Sequence, residues 1–378
     1  APYGMLQGNL CFRGPDAPTF KNYQLTGTSP ELGTTVQATL QVTFGPAAAA
    51  PSTFSVSTQA IQLTVPGPSN TPSATLGLSF GGASTAWRVG VSPANLTTTW
   101  LTISPRSGTG AAQLTVQVSG AALSPGVYTA TLNIQATNAI PQAIDVPVTL
   151  VVGASGAMKI TAIANAGSYQ NAAAPGMLMT VFGTGLASTP AQATGAPLPL
   201  SLNGVSATVN GITAPVLSIA PTQITVQVPY ETGLGTAVLG VNNHGQVAAF
   251  YFPVSIAAPG IVGFTLDPIV GVAVPSARAG AGVALEITGD GDVNPFLATG
   301  ATPSSGTAAA RLPKPRLPVS ATVGGLAAAI RFVGIPPGAV GITELDITIP
   351  AKTPTGLQPV VVTVGGVASP PLNLIITP

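Results

Sequence analysis

A unit of short strands and tight turns occurs twice in this chain, and that repeat most constrains the fold. The first copy runs from Leu202 to Pro229 and the second from Val319 to Pro350. In the first copy, two apolar runs are followed by a period-two alternation, Ile224, Val226, Val228. Alternation of this kind is typical of a strand with one buried face, and Asn-Gly between apolar runs predicts a hairpin. The repeat therefore predicts an architectural module made of strands and turns.

The composition favours an ordered all-β protein. The chain has 378 residues with 45 glycines and 38 prolines, but 46% of its residues are hydrophobic and the Val, Ile and Leu fall in alternating runs that can form a core. Many short strands with Gly- and Pro-rich turns are typical of sandwiches and barrels. We predict three tandem immunoglobulin-like β-sandwiches preceded by an extended arm and strand, with domains at residues 1–50, 51–152, 153–257 and 258–378.

Charge excludes several classes of function and indicates location. Charged residues make up 6% of the chain, the net charge is +1, and no basic cluster exceeds Arg311, Lys314 and Arg316, so the footprint of nucleic-acid binding is missing. No apolar run reaches the length of a membrane span.

A surface rich in Thr, Ser, Asn, Gln and Gly suits a secreted or cell-surface protein. The start at Ala-Pro-Tyr, without Met, is consistent with a removed leader. Cys11 is alone, so no internal disulfide is expected.

The first 50 residues combine an irregular segment with one strong strand. Ala1–Pro30 shows no periodicity, whereas Thr34–Phe44 alternates as a strand. Two interpretations stay open: the strand is an extra edge strand of the next domain, or it is donated to a neighbouring subunit, because an extended segment can complete an exposed sheet edge. Candidate subunit contacts are Val36, Leu40, Val42 and Phe44, together with the consecutive aromatics Phe250, Tyr251 and Phe252, of which at least one must face outward.

Two resemblances to known families accompany these patterns. In residues 51–152, Trp100-Leu101, Ser107-Gly108, Pro125-Gly126 and Tyr128 resemble the BACON domain, a small immunoglobulin-like module. Residues 158–378 resemble the uncharacterised C-terminal module of secreted acidobacterial proteins, through NAGSY, APGMLMTVFGTGL, VNGITAPVLSIAPTQITVQVPYE, AAPGI and GLQPVVVTVGGVAS. The second resemblance implies tandem immunoglobulin-like halves and an extracellular location, and it brings no catalytic residue.

Candidate reactive residues are few. His244 lies in Asn242–Gly245, which is typical of a hairpin tip and is a poor scaffold for a Ser-His-Asp mechanism. Asp290, Asp292 and Asn294 alternate as at the start of a calcium loop, but Pro295 and Ala301 occupy the positions that require Gly and Glu. Glu344 and Asp346 share one strand face, which favours protection of an exposed strand from edge pairing over acid-base catalysis.

These observations lead to a non-enzymatic extracellular structural protein. We predict a subunit of a pilus-like surface filament that polymerises with copies of itself through strand donation by the N-terminal arm, because low charge reduces repulsion between subunits. The alternative is an adhesin or carbohydrate-binding protein whose partner is a surface polysaccharide bound by exposed aromatics; Trp87 is expected in a strand and Trp100 in the core. No cofactor is expected, with calcium the weak candidate. The third class, a hydrolase, would need activity that depends on Glu344, Asp346 or His244.

Overall fold

The computed structural model describes residues 19–29, 34–44, 51–66, 70–82, 85–93, 98–154, 156, 158–265 and 275–378. Among these residues, no helix is long and apolar enough to span a membrane. The described chain is all-β, with one 3-10 helix, η1 (Ala309–Arg311). It forms an N-terminal hairpin followed by three β-sandwiches, which confirms the predicted fold class.

The N-terminal hairpin is a two-stranded sheet. Strand β1 (Thr19–Ser29) pairs antiparallel with β2 (Thr34–Phe44), from Thr19 opposite Phe44 to Ser29 opposite Thr34. The predicted strand is present, but the prediction of an irregular segment up to Pro30 is wrong over β1. Strand β1 lacks a strong apolar alternation in the sequence, and the backbone ladder with β2 is what identifies it as a strand. Among the described strands, β2 pairs with β1 alone, so its expected place at the edge of the next sandwich is not found.

The first sandwich packs two five-stranded sheets, β4-β12-β10-β6-β8 and β11-β3-β5-β9-β7. Their inward-facing residues alternate along each strand, as in β9, where Leu114, Val116 and Val118 are buried. The strands are β3 (Ser52–Val56), β4 (Ile61–Val65), β5 (Ser73–Gly81), β6 (Ala86–Pro93), β7 (Leu101–Ser104), β8 (Ser107–Thr109), β9 (Ala112–Val118), β10 (Gly126–Ala136), β11 (Ala139–Ile140) and β12 (Ala143–Val152).

The second sandwich has the sheets β13-β14-β20-β19-β15 and β16-β17-β21-β22, with β18 paired to β17. Val226 and Leu239, from opposite sheets, are fully buried in its core. The strands are β13 (Lys159–Asn165), β14 (Leu178–Thr184), β15 (Ala191–Gln192), β16 (Ser201–Leu202), β17 (Val205–Val209), β18 (Ile212–Ala214), β19 (Val216–Ala220), β20 (Gln223–Gln227), β21 (Gly235–Asn243) and β22 (Gln246–Val254).

The third sandwich is one continuous sheet of order β23-β25-β30-β29-β28-β31-β33-β24, with β32 paired to β31, folded over a single core. The short pair β26 and β27 lies apart from it. The strands are β23 (Gly260–Thr265), β24 (Ser276–Arg278), β25 (Gly282–Thr288), β26 (Val293–Asn294), β27 (Lys314–Pro315), β28 (Val319–Val323), β29 (Leu326–Gly334), β30 (Thr343–Thr348), β31 (Gly356–Val364), β32 (Val367–Ala368) and β33 (Leu372–Thr377).

The sequence repeat is a structural repeat. Ala207 pairs with Ala214 in the first copy, and Ala321 pairs with Ala328 in the second. Both copies carry a register shift two residues later, after Val216 and after Ile330. In the second copy, β29 pairs first with β28 and then with β30, so one strand passes from one layer to the other. In the first copy Pro215, which has no backbone N–H, separates β18 from β19.

Candidate functional site

His244 stands at the tip of a hairpin. It is exposed, adopts a left-handed backbone with φ 50°, and its imidazole packs on Gly204. Its backbone N–H donates to Gly204 O at 3.3 Å. No hydrogen bond among the described residues joins the imidazole to a carboxylate. The arrangement is that of a turn and does not form the orienting contact that a Ser-His-Asp mechanism needs.

The calcium candidates differ in exposure. Asp290 is buried, with 6% of its surface exposed, whereas Asp292 and Asn294 are exposed. Asp290 Oδ2 accepts a hydrogen bond from Thr343 Oγ1 at 2.7 Å. Burial raises the pKa of Asp290 to about 6, partly offset by that hydrogen bond. Among the described residues, no group of three His, Cys, Asp or Glu is arranged to hold a metal ion.

The carboxylates of β30, Glu344 and Asp346, lie on an interior strand of the sheet. Strand β30 lies between β25 and β29, so the interpretation of Glu344 and Asp346 as edge protection is wrong. The fold brings a third carboxylate, Glu286, directly opposite Glu344. Burial, and then the charges of Asp346 and Glu286, raise the pKa of Glu344. Sequence reasoning missed Glu286 because its proximity depends on the pairing of β25 with β30.

The predicted aromatic contacts separate into different environments. Trp87 and Trp100 are 4% and 3% exposed, so neither indole offers a face on which a sugar could stack. Phe252 is buried in the core of the second sandwich and Phe250 packs against the same core. Tyr251 points to the other side of β22, toward the first sandwich. Val36, Leu40, Val42 and Phe44 are four residues of β2.

The first and second sandwiches meet through a small apolar contact, which we call the first junction. Val127 and Val151 of the first sandwich pack with Val238 of the second, and Tyr251 is partly buried against them. Gly240 leaves the space that Val127 fills, since a Cβ there would lie 2.6 Å from Val127 Cγ2. At the rim, Asn242 Nδ2 donates to Pro125 O at 3.1 Å.

The second and third sandwiches meet at a junction of different character, which we call the second junction. Asn165 is fully buried there, and its Nδ2 donates to Ala258 O at 2.7 Å. Its Oδ1 accepts the backbone N–H groups of Gly167 and Ser168 at 2.7 and 3.0 Å, which closes the turn after β13. One side chain therefore orders a turn of the second sandwich and bonds to the segment that leads into the third.

Thr288 forms a second buried link at this junction. It is fully buried at the end of β25, and its Oγ1 donates to Gly341 O at 2.6 Å. The same oxygen accepts the backbone N–H of Leu178, in the second sandwich, at 2.9 Å. A buried hydroxyl that loses its hydrogen bonds costs free energy. Separation of β14 from β25 would break the bond between Leu178 N and Thr288 Oγ1, so this hydroxyl stabilises the contact between the two sandwiches.

The Leu297–Leu312 insertion contributes a third link. Gly300 N donates to the side chain of the fully buried Gln227 at 2.6 Å, and Gly300 O accepts from Leu198 N at 2.9 Å. Tyr230 of the second sandwich packs with Val293, Leu297 and Ile335 in a separate apolar cluster. The segment Leu297–Leu312 therefore packs across two sandwiches.

The comparisons with known proteins identify one part of the chain. Residues 53–147 match the family model of the viral BACON domain, which confirms the BACON-like interpretation of the first sandwich. No curated protein matches the chain. The resemblance of residues 158–378 to the acidobacterial module stays a prediction.

Solved structures resemble the chain only weakly. The ASH / PapD-like domain of human CEP192 is 10% identical, with 29% of this chain and 92% of that domain covered and a TM-score of 0.24. A Bacteroides ovatus GH5 xyloglucanase is 16% identical, with 32% of this chain and 21% of that enzyme covered and a TM-score of 0.21. An I-band fragment of titin is 10% identical, with 87% and 99% covered and a TM-score of 0.20. At TM-scores this low, these similarities carry no information on function.

A BACON domain and immunoglobulin-like sandwiches fit an extracellular structural or adhesive role. Domains of these kinds are typically non-catalytic.

Proposed function

We propose that this chain is a secreted structural protein that assembles with copies of itself into a surface filament through its N-terminal hairpin. The observation that carries the proposal is that, among the described strands, the two hairpin strands pair with each other and with no strand of the three sandwiches.

The register places most apolar residues of the hairpin on one face, which also holds Lys21, and mostly polar residues with Phe20 on the other. Residues opposite each other in an antiparallel pair share a face. Leu40 pairs with Tyr23 and Ala38 with Leu25, whereas Gln41 pairs with Asn22 on the other face. A two-stranded hairpin is at best marginally stable alone in water, so an apolar face of this kind favours a partner.

The completeness of the sandwiches limits how a neighbour receives the hairpin. Donation of a strand into a gap requires a sandwich that lacks one, and the described sandwiches have closed cores. The hairpin therefore adds to an exposed edge or packs its apolar face on a neighbouring subunit. The scarcity of charge, 6% of residues, lowers the repulsion between subunits in such a contact.

Deletion of residues 1–45 tests the proposal. The full-length protein should form fibres in negative-stain electron micrographs, and the deletion variant should sediment as a folded monomer with unchanged circular dichroism per residue. If the deletion variant forms fibres equally well, the hairpin is not the assembly contact. If both samples are monomers, the protein does not self-assemble.

A further inference from the structure

The two junctions differ in how well their buried polar groups are paired. At the second junction, the buried side chains of Asn165, Gln227 and Thr288 are hydrogen-bonded, and Thr232 Oγ1, two residues from Tyr230, is buried without a partner. Close to the first junction, two hydroxyls, Thr149 Oγ1 and Tyr251 OH, are buried without a hydrogen-bond partner. Buried hydroxyls without partners are rare. Each one destabilises the contact that buries it, because water would form a hydrogen bond with the hydroxyl if the two sandwiches separated.

Thr149 lies on the face of β12 that is turned toward the second sandwich. Val148 and Leu150 belong to the core of the first sandwich, so Thr149 and Val151 point the other way. Val151 is in the apolar contact with Val238, and Thr149 is 1% exposed. Strand β12 packs on β22, which carries Tyr251. The unpaired hydroxyls of Thr149 and Tyr251 therefore both belong to the first junction.

The backbone crosses the first junction at a single peptide bond. Gly153 N donates to Val65 O in the first sandwich at 3.0 Å, and the next residue, Ala154, donates to Gly245 O in the second at 3.2 Å. Gly153 has a φ of 148°, and a Cβ there would lie 2.7 Å from both Gly245 O and Val247 Cγ2. One glycine, which tolerates a wide range of dihedral angles, therefore joins residues anchored to different bodies.

The rest of the contact is modest. Its buried apolar residues are Val127, Val151 and Val238, and the hydrogen bond from Asn242 to Pro125 O is solvent-exposed. A cavity of about 60 Å³ lies between the two sandwiches, beside Val127 and Gly240. Small contacts between domains permit relative motion, whereas large and well-packed ones do not.

We infer that the first junction is a hinge: the first sandwich swings about Gly153 while the second and third sandwiches move as one body. Opening hydrates Thr149 and Tyr251 and exposes the apolar strip of Val127, Val151 and Val238. The motion belongs to the single chain and does not depend on assembly, so it goes beyond the proposed filament. In a filament it would place one bend in each subunit.

Distances between spin labels on the full chain at low concentration test the hinge. Cysteines introduced at the exposed positions Thr102, Thr236 and Lys352, in a Cys11→Ser background, give one pair across each junction. The pair Thr102–Thr236 should give a broad or two-peaked distance distribution. The pair Thr236–Lys352 should give one narrow peak. A single narrow peak across the first junction would overturn the hinge, whether or not the protein forms fibres.

Removal of one unpaired hydroxyl supplies the matched test. Tyr251→Phe should reduce the open-to-closed ratio about tenfold, because the closed state no longer buries an unbonded hydroxyl. Tyr128→Phe is the control, since Tyr128 OH donates to Ser124 O within the first sandwich. It should leave the distribution unchanged. An unchanged distribution in Tyr251→Phe, or the same shift in both variants, would contradict the assignment of the hinge to this contact.

Discussion

The buried carboxyl of Asp290 makes the third sandwich sensitive to pH. Asp290 lies in a turn between two glycines with left-handed backbones, Gly289 and Gly291, which pack against the segment that links the second and third sandwiches. Thr343 Oγ1 donates to its carboxyl, Tyr230 feels the charge of Asp290, and Arg316 bonds to the backbone of the neighbouring Asp292 and Val293. Burial raises the pKa of Tyr230 and the carboxylates of Asp290, Asp292 and Glu231 raise it further, so the phenol stays neutral.

The magnitude follows from the pKa of Asp290, which is about 6 in the folded chain against 3.8 for the unperturbed group. The folded state binds its proton more tightly than the unfolded state, so ionisation of Asp290 destabilises the fold. This penalty is absent below pH 4, develops as the pH rises toward 6 and is complete above it. About two pKa units correspond to about 3 kcal/mol at pH 7.

Asp290→Asn removes the charge and keeps an oxygen that accepts from Thr343. At pH 7.5 the variant should be more stable than the natural protein by about 3 kcal/mol, and at pH 4 the two should be nearly equal. Urea unfolding followed by circular dichroism at both pH values measures the difference. Asp145→Asn, at an exposed carboxylate of the first sandwich, is the control. A stability difference that is the same at both pH values would refute the reasoning.

Three further predictions concern the second junction and the carboxylates of β30. Asn165→Ala should lower the stability of the C-terminal pair by about 3 kcal/mol, because it leaves buried backbone groups unpaired, and should split one urea transition into two. Gly176→Ala should destabilise by about 2 kcal/mol or more, since its φ is 76° and a Cβ would meet the ring of Tyr230, whereas Gly233→Ala, with open space around it, should be neutral. Glu344→Gln should raise the thermal midpoint more at pH 7 than at pH 4, because the pKa of Glu344 is raised. Equal shifts at both pH values would contradict this.

Local patterns in the sequence predicted the strands and their repetition. Val205–Val209 and Val319–Val323 are strands within the bounds that alternation gives. The turns at Asn203-Gly204 and Asn210-Gly211 have the positive φ angles that hairpin turns of this type require. Signals of this kind succeed because they act between residues close together in the chain.

Features that depend on distant pairing could not be predicted in the same way. Strand β1 was missed because it has no apolar alternation, although its partner β2 is strongly patterned. Asn165, Gln227 and Thr288 look like ordinary strand residues, and their role appears only when the second and third sandwiches meet. The buried amides and hydroxyls that join the sandwiches belong to no reactive motif that a sequence displays. The only local signal of a structural role for Asn165 is its place just before a small-residue turn, Asn165-Ala166-Gly167.

The most direct test of self-assembly compares two single substitutions on adjacent residues of β2. Leu40→Asp places a charge on the face shared with Tyr23, and Gln41→Asp places the same charge on the opposite face, beside Asn22. Negative-stain electron microscopy of both variants beside the natural protein is the measurement. Fibres in the natural protein and in Gln41→Asp, with monomers in Leu40→Asp, are the predicted result. Equal assembly of the two variants, or no fibres in any sample, would contradict assembly through the apolar face of the hairpin.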